Sequence, residues 1–155
     1  MCSSDLSTLA HAAGGLVSVD AASAAPIRLA GAALVRDRIG ALAPDVLLAT
    51  EEEADALDGD DRCPGRDERL LALAPLLVVK RGPLGCRVIR RDDRGRTVVL
   101  DVPTRRLPVR DTTGAGDAFA AGFLLALILP EVHLRTRGDV EHALADDAAF
   151  PVALD

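Results

Sequence analysis

The chain has almost no aromatic rings. Its 155 residues include Phe119, Phe123 and Phe150 but neither tryptophan nor tyrosine. A protein that grips bases or sugars by ring stacking needs more, so stacking-based nucleic-acid binding is excluded. Lysine is nearly absent too: Lys80 is the only one, and every other basic side chain is arginine. The formal net charge of -6 lacks the clustered cations that phosphate backbones demand. Cysteine occurs as Cys2, Cys63 and Cys86, an odd number without CxxC spacing, which speaks against a disulfide framework or a zinc site. His11, His133 and His142 are scattered and show no HExxH or other ligand spacing. The opening "MCSSDLSTLAHAAGG" has neither a basic flank nor an unbroken apolar core, so it does not read as a signal peptide. The longest apolar run, Ala118 to Leu129, is shorter than the roughly 20 residues of a membrane span. These absences describe a soluble, cytoplasmic protein with no membrane or nucleic-acid partner.

What is present is apolar: residues of that class make up 49% of the chain. They alternate with turn signals in a βαβα order, within a length that suits one domain with a real core. "LVSVD" (Leu16 to Asp20), "DVLLA" (Asp45 to Ala49) and "LLVVK" (Leu76 to Lys80) read as buried strands. "IRLAGAALVRDRIGAL" (Ile27 to Leu42) has helical spacing. A short helix is expected from Glu51, and another in "RLLALA" from Arg69 to Ala74. "CRVIR" and "TVVLDV" flank "RDDRG" as a hairpin. A long helix should run from about Ala115 to just before Pro130, and a last one lies in "DVEHALADDAAF". The first helix of that pair is apolar on nearly every face, so it is expected to be buried, with Gly122 explained by close packing on the sheet. The pattern predicts a three-layer α/β/α fold whose mostly parallel sheet carries a β-hairpin, all within one domain spanning 1–155.

In such sheets ligands sit beyond the carboxyl ends of the strands. The polar strand ends are Asp20, Thr50 and the "KRGPLG" turn, and they should share an edge with the loop "DTTGAGD". In that loop Gly114, Ala115, Gly116 and Asp117 stand where a polar segment becomes a helix. First-turn N–H groups have no carbonyl partner and carry the positive end of the helix dipole. Glycines let an anion approach them closely. Such a cradle suits a phosphoryl group in transfer, and Asp117 beside it could accept a proton from an attacking hydroxyl. A bare GxGD, however, is more commonly ordinary helix-start chemistry. It is not a Walker A loop, for no Gly-Lys-Ser/Thr follows, and Phe119 occupies the last glycine position of a GxGxxG fingerprint.

The longer run "DTTGAGDAFAAGF" resembles the C-terminal signature of the ribokinase-like, or PfkB, family of carbohydrate kinases. "GGLVSVDAAS", "PDVLLATEEEADAL" and "LVVKRGPLGCRV" follow that family's order and spacing from about Ala10 to Phe123. The resemblance implies ATP-dependent phosphoryl transfer to a hydroxyl of a sugar or nucleoside. It implies Asp117 as the base and the amides of Ala115, Gly116 and Asp117 as the anion hole. Asp111 and Thr113 match positions that bind a monovalent cation such as potassium. The turn from Lys80 to Gly85 matches a nucleotide-binding turn, in which Gly82 and Gly85 would expose backbone to the ligand; a plain β-turn is the alternative. Thr50 stands where the family has asparagine in Asn-x-x-Glu, and Glu53 matches the glutamate that helps hold the magnesium of the nucleotide. Read without the family, Thr50 and Glu53 form a capping box. Glu51 and Glu52 read as solvated surface, and Asp20 as either a site residue or a strand-end cap.

The resemblance covers only the C-terminal half of the family pattern; the N-terminal half, with most of the substrate contacts and a lid, has no counterpart in these residues. The fold is therefore expected to be truncated on its N-terminal side. The chain is then expected to pair with another chain that supplies the missing half, to self-associate, or to be poorly stable. Two readings follow: the ATP and catalytic half of a kinase, or an inactive remnant that at most binds nucleotide or a partner.

Overall fold

The computed structural model describes residues 3–59, 64–104 and 111–128. The expected helix in "DVEHALADDAAF", with Cys2, Cys63, His133, His142 and Phe150, lies outside them. The elements run α1 (Ser3–Ala12), β1 (Ser18–Asp20), α2 (Ala24–Ala30), α3 (Ala32–Leu42), β2 (Val46–Thr50), α4 (Glu51–Asp58), α5 (Arg66–Leu70), β3 (Leu76–Lys80), β4 (Cys86–Arg91), β5 (Thr97–Val102) and α6 (Ala115–Ile128). A single 3-10 turn, Gly82–Leu84, joins β3 to β4.

The five strands form one sheet in chain order. β1, β2 and β3 are parallel, whereas β4 runs antiparallel to β3 and β5 antiparallel to β4. Only β4 thus opposes the others, which is the expected mostly parallel sheet with a hairpin. Strands covered on both faces have no need of polar alternation. Leu47, Ala49, Leu77, Val79 and Ile89 turn to one face, where α2, α3, α4 and α5 supply Ala24, Ile27, Ile39, Ala54, Leu57 and Leu70. Val46, Leu48, Leu76, Val78 and Val88 turn to the other, against Phe119, Phe123, Leu124 and Leu127 of α6. These two cores make the three layers.

Three local expectations are corrected. The stretch from Ile27 to Leu42 is two helices, because Gly31 adopts φ +89 and breaks the helical path. The helix expected from Arg69 to Ala74 instead spans Arg66–Leu70, and residues 71–74 form the turn that leads through Pro75 into β3. The long apolar helix is buried on one side only: Ala121, Gly122, Leu125 and Ala126 are exposed, and a Cβ on Gly122 would meet nothing within 4 Å. No described element packs on that outer face, so close packing does not explain Gly122.

Charge pairs tie the first face's helices together. Asp58, almost closed off at the end of α4, receives both a 2.6 and a 2.7 Å hydrogen bond from the Arg69 guanidinium. These bonds hold its carboxyl below the usual carboxylate range, against the opposing effect of burial. Asp45, buried before β2, accepts from the Val17 amide at 2.8 Å and lies 3.1 Å from His11 Nε2, which ties α1 to the strand.

Two stability outcomes follow. Gly122→Ala should stabilise the fold by about 1 kcal/mol, since the site is helical and open; a chemical-denaturation midpoint checks it. Arg69→Met should cost about 2 kcal/mol at neutral pH by stranding the Asp58 carboxylate. Because Asp58 has a depressed folded pKa, its contribution is complete above the unfolded value of roughly 3.9 and disappears as pH falls through the lower folded value. Denaturation curves of the two proteins should therefore converge in strong acid.

Candidate active site

The parallel register decides which residues meet at the sheet edge. Thr50 lies opposite Lys80, and Asp20 opposite Leu48. Strands about 4.8 Å apart put β1 and β3 roughly 10 Å from one another, a gap that a lysine stem and an aspartate can close. Lys80 crosses the end of β2, and its Nζ sits 2.7 and 2.9 Å from the two Asp20 carboxylate oxygens. The Lys80 side chain is 12% exposed and that of Asp20 is 30% exposed. Asp20 also accepts from the Ala22 amide at 3.2 Å, inside a turn that places Ala22 at φ +62.

The start of α6 reaches the same point. Gly114 opens the helix at φ +75, a conformation that suits glycine. Nothing stands within 4 Å of a Cβ built on Gly114, and on Gly116 such a Cβ would meet only the Lys80 ammonium, at 3.8 Å. The helix start is therefore open beside Gly114 and lies within a methyl's width of a cation beside Gly116. Asp117 is exposed in the first turn. Ala118 N donates to the Gly114 carbonyl at 2.9 Å. Ala115 N donates to the Thr112 carbonyl at 3.0 Å. That bond occupies the Ala115 amide, one of the three expected as anion-hole donors. Just before the helix, Asp111 Oδ1 accepts from both the Thr113 amide and the Thr113 hydroxyl at 2.8 Å. These bonds, led by the amide, lower the Asp111 pKa and gather two oxygens of unlike residues at one spot.

At the mouth of β2, Thr50 and Glu53 form a complete capping box. The Thr50 hydroxyl accepts from the Glu53 amide at 3.2 Å, and Glu53 Oε2 accepts from the Thr50 amide at 2.7 Å. Both groups are thus partly committed to starting α4. Glu51, read from sequence as solvated surface, is instead a bridge: one carboxylate oxygen lies 2.9 Å from Arg66 and the other 3.4 Å from Arg81. Arg81 continues to Asp101 at 2.9 Å, and Asp101 takes two further bonds from Arg87. Hydrogen bonds from Arg87 are the leading cause of a lowered Asp101 pKa. The chain of charges anchors the Lys80–Gly85 turn to α4 and β5. No sequence spacing links residues so far apart; the pairing of β2 with β3 and of β4 with β5 brings them together.

Within that turn the two glycines differ. Gly82 adopts φ +54 and faces open space. Gly85 adopts φ +88, and a Cβ there would run into the Val102 carbonyl and Pro103 backbone. The close passage of β5 therefore requires glycine at position 85, whatever the turn meets on its other side. Among the described residues no three His, Cys, Asp or Glu side chains converge to hold a metal.

The site sits on a chain that matches the pfkB family carbohydrate kinase model over residues 5–146, and the protein belongs to that family. A probable fructokinase-7 of Arabidopsis thaliana is 36% identical over 142 residues, which are 88% of this chain and 40% of that protein. The crystal structure of a PfkB protein from Polaromonas sp. JS666 superposes with a TM-score of 0.59 at 32% identity, over 90% of this chain and 43% of that one. A fructokinase from Vibrio cholerae O395, solved in a form with fructose, ADP and calcium ion bound, superposes with a TM-score of 0.63 at 26% identity, over 90% of this chain and 44% of that one. The fold is thus ribokinase-like, and the chain spans 40% of the length of the Arabidopsis relative.

Gly85→Ala should destabilise the fold by about 3 kcal/mol, through both positive φ and the clash with β5. Gly116→Ala should leave the denaturation midpoint within about 0.5 kcal/mol of wild type, since only a movable ammonium lies nearby. Denaturant titration of both variants tests the contrast.

Proposed function

We propose that the chain carries the nucleotide and catalytic half of an ATP-dependent carbohydrate kinase. The acceptor is a hydroxyl of a sugar or nucleoside. The observation that carries this reading is the helix start at Gly114–Asp117, which is open beside Gly114 and has the Lys80 ammonium close beside Gly116. Family membership and the fructokinase relatives support the sugar class.

The residues present fit a magnesium nucleotide. Two first-turn amides and a lysine offer donors to phosphate oxygens. Glu53 is one carboxylate with an oxygen beyond its capping bond, which suits a magnesium ion held mainly by phosphates and water. Asp111 and Thr113 offer paired oxygens to a monovalent cation such as potassium, which would stiffen the loop before α6. Bound Mg-ATP supplies the transferable phosphoryl group and offsets its charge. Asp117 then removes the proton from the acceptor hydroxyl, while the Gly116 and Asp117 amides and Lys80 stabilise the charge on the equatorial oxygens. Thr50 orients the first turn of α4 and keeps a hydroxyl proton free to meet a phosphate or its water.

β1 pairs only with β2 among the described residues, an open edge that supports completion of the site by another chain or a second copy.

Asp117→Asn should leave the fold intact and lower transfer from Mg-ATP to a panel of sugars and nucleosides by at least about a hundredfold. A coupled ADP-release assay with potassium present reads it. Equal turnover by the mutant would remove Asp117 from the role of base.

A further inference from the structure

Asp20 has no decisive role in the sequence reading, yet among the described residues its carboxylate takes both hydrogen bonds of the chain's only lysine. We propose that Asp20 is a resident counter-ion of the nucleotide site: it holds the Lys80 ammonium until an incoming phosphate displaces it. This rests on the kinase reading above and adds to it a residue that regulates how the site accepts its anion.

The geometry supports an exchange, not a permanent structural bridge. The ammonium sits astride the carboxylate, with an oxygen on either side at 2.7 and 2.9 Å. It also lies 3.8 Å from the Cβ position of Gly116, on the edge of the helix start where the anion would rest. A short rotation of the flexible lysine stem suffices to pass from one anion to the other. An ammonium has three donors, so it can contact both during the exchange. Asp20 would not be stranded afterwards. It is 30% exposed, and the Ala22 amide still donates to its Oδ1 at 3.2 Å. Lys80, at 12% exposure, is the partner that needs a counter-charge in both states. A nearly enclosed cation without one would be costly.

If Asp20 competes with phosphate for Lys80, the two partners' substitutions must move nucleotide affinity in opposite directions. Removing the competitor strengthens binding, and removing the cation weakens it. A residue that merely builds the site would weaken binding in both cases. The catalytic consequence is also split. Tighter binding slows ADP release, so where release limits turnover Asp20→Asn should lower kcat while lowering the nucleotide Kd.

The test is calorimetric titration of the full chain with Mg-ADP, beside NMR of protein labelled with 13Cε-lysine. Because Lys80 is the only lysine, the label gives one resonance. The expected results are a three- to tenfold tighter Kd for Asp20→Asn and at least a tenfold weaker Kd for Lys80→Ala. The double variant should match Lys80→Ala alone, and the wild-type Lys80 resonance should move on saturation with Mg-ADP. Asp20→Glu, which keeps the charge, should bind within twofold of wild type. Weaker or unchanged binding by Asp20→Asn in protein with wild-type circular dichroism overturns the proposal. So does a Lys80 resonance that ignores saturating Mg-ADP, while leaving the kinase reading intact. Folded wild-type protein that takes up no Mg-ADP overturns the kinase reading and the proposal with it.

Discussion

Lys80 ends a strand that is buried on both faces, and the cation at its tip must be met by an anion. Among the described residues that anion is Asp20, two strands away, and the bridge exists only because β1, β2 and β3 run parallel in fixed register. A one-residue slip of β3 would turn Lys80 to the opposite face of the sheet. It would also bury the leucines and valines of the strand against the wrong helices. The apolar packing that sets register therefore sets the electrostatics of the edge. Cores above and below the sheet fix β3; β3 fixes the ammonium; the ammonium stands before the first turn of α6.

Much of this was legible in the chain itself. Leu76 to Lys80 is an apolar run closed by one charge, and the structure keeps those bounds unchanged. The hairpin around "RDDRG" was visible because β-rich runs flank a turn, in which Asp92 accepts from the Arg94 and Arg96 amides. The break at Gly31 was less visible, since a lone glycine in a helical pattern is usually tolerated, and only its positive φ separates α2 from α3. The capping box of Thr50 and Glu53 could be read from spacing alone, because both members lie within one turn. The partnerships Asp20–Lys80 and Glu51–Arg81 could not, because they join residues brought together by strand order. Gly85 shows a further limit. Sequence can mark a glycine in a turn, but whether ligand or neighbouring backbone occupies the space beside it depends on the path of β5.

The outer surfaces tell a consistent story about extent. α6 shields the second core with Phe119, Phe123 and Leu127, and leaves Leu125 more than half exposed. Leu6 and Leu9 of α1 are likewise exposed. Relatives more than twice as long share this fold. The described residues thus carry the helix start and strand ends of a ribokinase-like fold, with apolar side chains exposed on α1 and α6.

The most direct test is a crystal structure of the full chain with Mg-ADP and potassium. The account predicts phosphate oxygens within hydrogen-bonding distance of the Gly116 and Asp117 amides, with the Lys80 ammonium turned toward them and away from Asp20. Nucleotide density elsewhere on the surface, with the first turn of α6 bare and the Lys80–Asp20 bridge unbroken, would contradict it.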